Sequence, residues 1–283
     1  MNEFIIHQPS KMNLESVSVI LLDIFQSLQK ENDWFNALIE QEVRKSLPKE
    51  SQDIYNTLFR GNSILTKSLE LYNLRIGQEY LEKVIGHFIN SLIANFNAIE
   101  VDPMRISASN EEEKQAIIDR NFNNLLKLAR ELWKRIYYST NDLPTQIKTQ
   151  LSYLRRTIEL YSSDEKACLN AITSFIFLRF FCPVILNPKL FFLTKNHQFG
   201  EVKRCLTLLS KLLMKHGNRQ EFDEKEPYMM KFNAEFLQKH KDELFDYLDK
   251  VTLKNLDFTD KHFKLSSSLE RTVLPLPASY LKD

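Results

Sequence analysis

Ser174-Phe175-Ile176-Phe177-Leu178-Arg179-Phe180-Phe181-Cys182-Pro183-Val184-Ile185-Leu186-Asn187-Pro188 is an apolar run that carries a single charge. Desolvating a guanidinium costs several kcal/mol, roughly, unless partners take its donors, so Arg179 needs acceptors. Upstream, Cys168, Ile172 and Phe175 precede it at helical spacing, which puts the arginine on an apolar stripe near the C-terminal end of a helix. Ser163 or Asp164 can cap that helix. Pro183 is expected to end it, because the residue before a proline is pushed out of the α region. Chemistry alone gives Arg179 a structural job: its forked donors tie a loop to a helix end through carbonyl oxygens.

The rest of the chain is built to bury such a helix. With 283 residues and 43% hydrophobic content it can form a sizeable core. Only five glycines interrupt long periodic runs rich in Leu, Lys, Glu, Asn and Phe, and no alternating strand pattern appears, so the fold class is all-α. A formal charge of +1 provides no broad basic field for nucleic acid or an anionic membrane, and electrostatic recognition must be local. Cys168, Cys182 and Cys205 lack metal or redox spacing and are expected in the core. No apolar run reaches the roughly 18 residues of a membrane span. The N-terminus has no signal-peptide pattern, so a reducing, cytosolic setting is expected.

Taken in order, Leu14, Val17, Ile20, Leu21, Ile24 and Leu28 form one apolar helix face. Trp34, Phe35, Leu38 and Ile39 open a second helix that Pro48 closes, with Trp34 as a packing anchor. A short helix over 51–59 breaks at Arg60-Gly61-Asn62. There Gly61 permits positive φ, and Asn62 or Ser63 can cap the helix bearing Ile64, Leu65, Leu69 and Tyr72. Arg60 is thus a cation held out on a turn, and an isolated Arg-Gly reads as a solvated surface pair. A buried helical stripe runs over 78–99 until Glu100-Val101-Asp102-Pro103 breaks it. Helices with acidic first turns from Ser109 and with Ile147, Leu151, Leu154 and Ile158 lead back to the opening stretch. After it, a helix over 201–216 places Arg204, Lys211 and Lys215 within about 40 degrees of one another, a basic stripe that alone reads as a solvated face. Met229, Phe232, Phe236, Leu244, Leu248 and Val251 mark closing helices, and the signal fades beyond Asp257 into Ser266-Ser267-Ser268 and Leu274-Pro275-Leu276-Pro277.

Four motifs stand in a fixed order: Leu58-Phe59-Arg60-Gly61-Asn62-Ser63, Phe177-Leu178-Arg179-Phe180 with Cys182-Pro183-Val184-Ile185-Leu186-Asn187-Pro188, Ser210-Lys211, and Lys225-Glu226-Pro227-Tyr228-Met229. Together they resemble the Ras GTPase-activating (RasGAP) domain, over roughly residues 30–250, with Val184 where the family usually has alanine. The Lys- and Asn-rich composition suits a fungal or protist member, similar to the yeast bud-site-selection GAP. The resemblance implies a single large multi-helix domain with a central helical core and flanking extra helices. Its expected division is an N-terminal supporting helix (1–29), a catalytic domain (30–256) and a C-terminal extension or linker (257–283).

The resemblance also implies roles. Arg60 would be the arginine finger, inserted into a GTPase to offset charge on the transferring phosphoryl group. Gly61 and Arg179 would support the finger loop, and Leu178, Lys211 and Lys225 would contact the acidic effector face of the GTPase. The partner would be a GTP-bound Ras- or Rap-type protein, met by a monomer in the cytoplasm that reaches the membrane through its GTPase or flanking domains. Neither nucleic acid nor an integral membrane segment is expected. The chain has no Gly-rich phosphate loop, HExxH motif or nucleophile elbow, so no metal or cofactor is expected and any chemistry is completed in another protein. The alternative is a GAP-related scaffold that binds a small GTPase without stimulating hydrolysis. Such relatives lack the finger arginine.

Overall fold

The computed structural model describes residues 13–46, 60–161 and 164–253. Outside them lie the expected helix over 51–59, the stop at Pro48, the Ser163 cap, the 257–283 extension, and Leu58 and Phe59 of the first motif. Among the described residues there are helices and no strands, so the fold is all-α.

The opening stretch lies at the centre. A continuous helix starts at its cap Asp164, whose carboxylate accepts from Lys166 N and Ala167 N, and runs as α7 (Glu165–Thr173), a π-helical segment (Ser174–Phe181) and α8 (Cys182–Leu186). Pro183 does not end it. An inserted proline lacks an N–H and its ring collides with the carbonyl four residues back. Here the helix has already widened, with Cys182 N–H reaching Phe177 O, so the backbone accepts the ring and continues for another turn. Asn187, before Pro188, leaves the α region at φ −137° and ψ 64° and supplies the stop.

By length and composition these 22 residues could cross a membrane, contrary to the expected absence of such a run. Yet 78% of the apolar window is buried inside the protein, as in the core helix of a packed domain. Phe177 is the hub: its ring lies 6.4 Å from Trp133, 6.0 Å from Phe181 and 6.0 Å from Tyr247. All three cysteines are buried in this core, and burial pushes the Cys182 and Cys205 thiols up to about 12.

Other helices pack around this axis. α1 (Leu14–Ser27) lies on α3 (Ile64–Leu81) and α2 (Glu31–Ser46), and α2 packs on α6 (Thr145–Tyr161). The apolar face of α1 splits: Val17, Leu21 and Leu22 are buried, whereas Ile20, Ile24 and Leu28 are exposed. The apolar stripe is wider than the face that α2 and α3 cover. Trp34 is buried and stacks on Phe25 at 4.7 Å, as a packing anchor does.

α3 continues through a π turn (Glu82–Gly86) into α4 (His87–Ala94). Gly77 lets this rod approach the central helix closely, since a Cβ there would meet the Phe180 ring at 2.9 Å. α5 (Glu111–Tyr138), α9 (Gly200–Gly217) and α10 (Lys241–Val251) complete the shell. Short 3₁₀ and π turns, Pro227–Met229 and Asn233–Gln238, link the last two. α8 lies along α9, and Cys182 Sγ meets Ser210 O at 3.7 Å.

Candidate GTPase-activating site

The turn at Arg60 is built from its far side. Ser63 is the N-cap of α3, and its hydroxyl accepts from Thr66 N at 3.2 Å. Thr66 Oγ1 in turn accepts from Ser63 N at 2.9 Å, which completes a capping box. The same threonine hydroxyl is 3.1 Å from Gly61 O, so the helix start also reaches back to the turn. Gly61 does not adopt positive φ. With its turn tied by side chains it needs no left-handed residue, and a Cβ added there would meet nothing within 4 Å.

Arg179 approaches from the central helix. Its Nη2 donates to Arg60 O at 2.8 Å and to Gly61 O at 2.6 Å, while Nη1 pairs with a carboxylate oxygen of Glu70 on α3. The side chain is only 13% exposed, so these acceptors are what make its burial tolerable. Arg60 itself is exposed, and among the described residues its guanidinium has no acceptor. The structure therefore brings Arg60, Gly61 and Arg179 together, with the Arg60 backbone held and its side chain released.

Leu178, next to Arg179, is half-buried. Lys211 and Lys225 come together through Glu226: Lys211 Nζ pairs with the Glu226 carboxylate, and Lys225 is its exposed neighbour, with its N–H on Asp223 Oδ1 at 3.0 Å. The basic stripe is not a free cationic face. Arg204 is held by Glu100 at 2.9 and 3.0 Å, and Lys215 donates to Glu221 O at 2.9 Å and covers the Phe222 ring. The Glu100 hydrogen bonds raise the Arg204 pKa, and, against the effect of burial, Arg204 and the Asp102 N–H lower that of Glu100. Ser210, beside Lys211, meets Cys182, so the helix that bears Lys211 packs against the central helix that supplies Arg179.

Sequence reasoning missed Thr66, Glu70 and Glu226. In sequence, Lys67 and Glu70 look like an ordinary i,i+3 surface pair, and nothing local announces a partner 109 residues away.

Residues 34–218 match the family model described as GTPase-activator protein for Ras-like GTPase. The chain belongs to the RasGAP family. It is 40% identical, over 93% of its length, to a protein of Candida albicans named GTPase activating protein BUD2, and 40% identical over 95% to the inhibitory regulator protein BUD2/CLA2 of Saccharomyces cerevisiae. Human Ras GTPase-activating protein nGAP is 32% identical over 81% of this RasGAP chain. These stretches are 27%, 25% and 19% of the respective relatives, so the chain spans about a quarter of the two fungal proteins. The likeness over nearly the whole chain supports a fungal member of the family.

Proposed function

We propose that this chain stimulates GTP hydrolysis by a Ras- or Rap-type small GTPase, supplying Arg60 in trans as the arginine finger. The observation that carries the reading is the clamp on the turn: Arg179 fixes the carbonyls of Arg60 and Gly61 while the Arg60 side chain stays exposed. A guanidinium placed this way loses little freedom on docking and is available where charge develops on the transferring phosphoryl group. Ras with its activating protein is the reference case, in which such an arginine contributes roughly 10³–10⁵ in rate.

On this reading the GTPase docks across the central helix and α9, contacting Leu178, Lys211 and Lys225, and its own switch glutamine orients the attacking water. The chain contributes no nucleotide site. On the same reading residues 30–256 are the catalytic domain, 1–29 a supporting segment and 257–283 an extension or linker. It acts as a monomer in the cytoplasm and reaches membranes through its GTPase or flanking domains.

The test is single-turnover GTP hydrolysis by Ras-, Rap-, Rho- and Ran-type proteins with and without the chain. Acceleration confined to Ras or Rap types is expected. Tight binding to the GTP form without acceleration would favour the scaffold alternative.

A further inference from the structure

Arg179 alone does not explain why its fork points at the turn. Among the described residues its two terminal nitrogens meet acceptors on two elements: the Arg60 and Gly61 carbonyls on the turn, and the Glu70 carboxylate on α3. Glu70 sits one helical turn beyond Thr66, on the same face, and Thr66 reaches Gly61 O from inside the loop. Thr66, Leu69, Asn73, Phe175 and Arg179 line a cavity of only about 10 Å³, no more than a single water would fill. The second Glu70 oxygen takes Lys67 Nζ at 3.0 Å, so one carboxylate lies between two cations immediately behind the turn.

We infer that Glu70 is a positioning residue for the Arg60 turn, acting through Arg179; the inference rests on the reading of Arg60 as the finger. The carboxylate anchors Nη1, and the rigid plane of the guanidinium then aims Nη2 at the two carbonyls. With Glu70 neutralised, Nη1 loses its charged acceptor, the plane is held less firmly, and Lys67 and Arg179 lose the carboxylate that lies between them. Lys67 shares the carboxylate but does not touch the turn, so its removal leaves the clamp closed.

Two measurements on the full chain test this, one independent of any GTPase. Trypsin cleaves after exposed arginines in mobile turns, and the fragment beginning at Gly61 can be followed by mass. Glu70→Gln should accelerate that cleavage about tenfold, the size expected for loss of a charge-assisted bond. Lys67→Met should be cleaved at the parent rate. In hydrolysis assays Glu70→Gln should lower the saturated rate about tenfold with KM unchanged, and should add no further loss in an Arg60→Ala background.

Should the amide variant lower the melting temperature, Glu70→Asp, which keeps the charge on a shorter stem, is read in the same way. Parent-like cleavage after Arg60, or a loss of rate that persists without Arg60, overturns the inference. If the parent accelerates no GTPase, the proposed function fails, and the cleavage comparison still decides whether Glu70 holds the turn.

Discussion

The guanidinium of Arg179 meets the main-chain carbonyl of Arg60 at 2.8 Å, across 119 residues of sequence. A helix in the centre of the core thereby fixes a turn at the surface. Because the bond goes to backbone, it orders the turn without engaging the Arg60 side chain.

Arg179→Lys tests that clamp. An ammonium on a flexible stem cannot serve the two carbonyls and the Glu70 carboxylate in one plane. The variant should lose about 1–3 kcal/mol of stability, lowering Tm by roughly 2–10 °C, and should accelerate hydrolysis less than the parent at saturation. Calorimetry and single-turnover assays read the two effects, and parent-like values in both would remove Arg179 from this role.

Lys211→Glu sets two carboxylates against each other where Lys211 and Glu226 now pair, beside the docking face. Affinity for the GTP-loaded partner should fall more than the saturated rate, and the deficit should deepen as salt is lowered. Glu226→Gln is the control, because it releases the lysine without reversing the charge. If both substitutions weaken binding equally, the loss comes from the internal pair and not from repulsion of the partner.

Much of this architecture is legible in the residues. The helical periods around Phe177, Leu151 and Leu208 identify buried faces because burial of a continuous stripe repeats every turn. An arginine inside an apolar helix poses a pairing problem that only carbonyls or carboxylates can solve, and both are found. The identity of the carboxylate is not legible, since Glu70 beside Lys67 has a complete local explanation. Nor does a 3.6-residue period reveal a π segment, which is why Pro183 reads as a stop and is not one. The exposed line Ile20, Ile24 and Leu28 shows the same limit: apolar spacing specifies a helix but not how many neighbours cover it.

Gly217→Ala probes the packing beneath the site. A Cβ there would lie 2.6 Å from the Phe177 ring and 2.9 Å from the Thr173 methyl, both fully buried. Neither can withdraw without disturbing the central helix, so a loss of about 1–3 kcal/mol is expected in denaturant unfolding. Gly61→Ala, where a Cβ meets open space, should leave stability within about 0.5 kcal/mol.

His216 sets a pH dependence. Burial, with a smaller contribution from nearby His240, lowers its pKa from 6.5 to about 3, so it stays neutral against Trp133 and Phe236. Between those values the unfolded chain binds a proton that the folded chain does not, so stability rises with pH and is lost as pH falls. The slope attributable to this group is at most about 1.4 kcal/mol per pH unit. Urea unfolding from pH 6.5 to 5 should therefore be flatter in His216→Phe than in the parent, and equal slopes would contradict a neutral buried histidine.

The central claim is that Arg60 acts on the transition state, and the most direct measurement is the saturated single-turnover rate of a Ras- or Rap-type GTPase with Arg60→Ala. The account predicts that the variant still binds the GTP-loaded partner while the rate falls by roughly 10³, about 4 kcal/mol of barrier, and that affinity for a GDP–aluminium fluoride mimic falls more than affinity for a ground-state GTP analogue. An Arg60→Ala protein that accelerates hydrolysis as the parent does would contradict it.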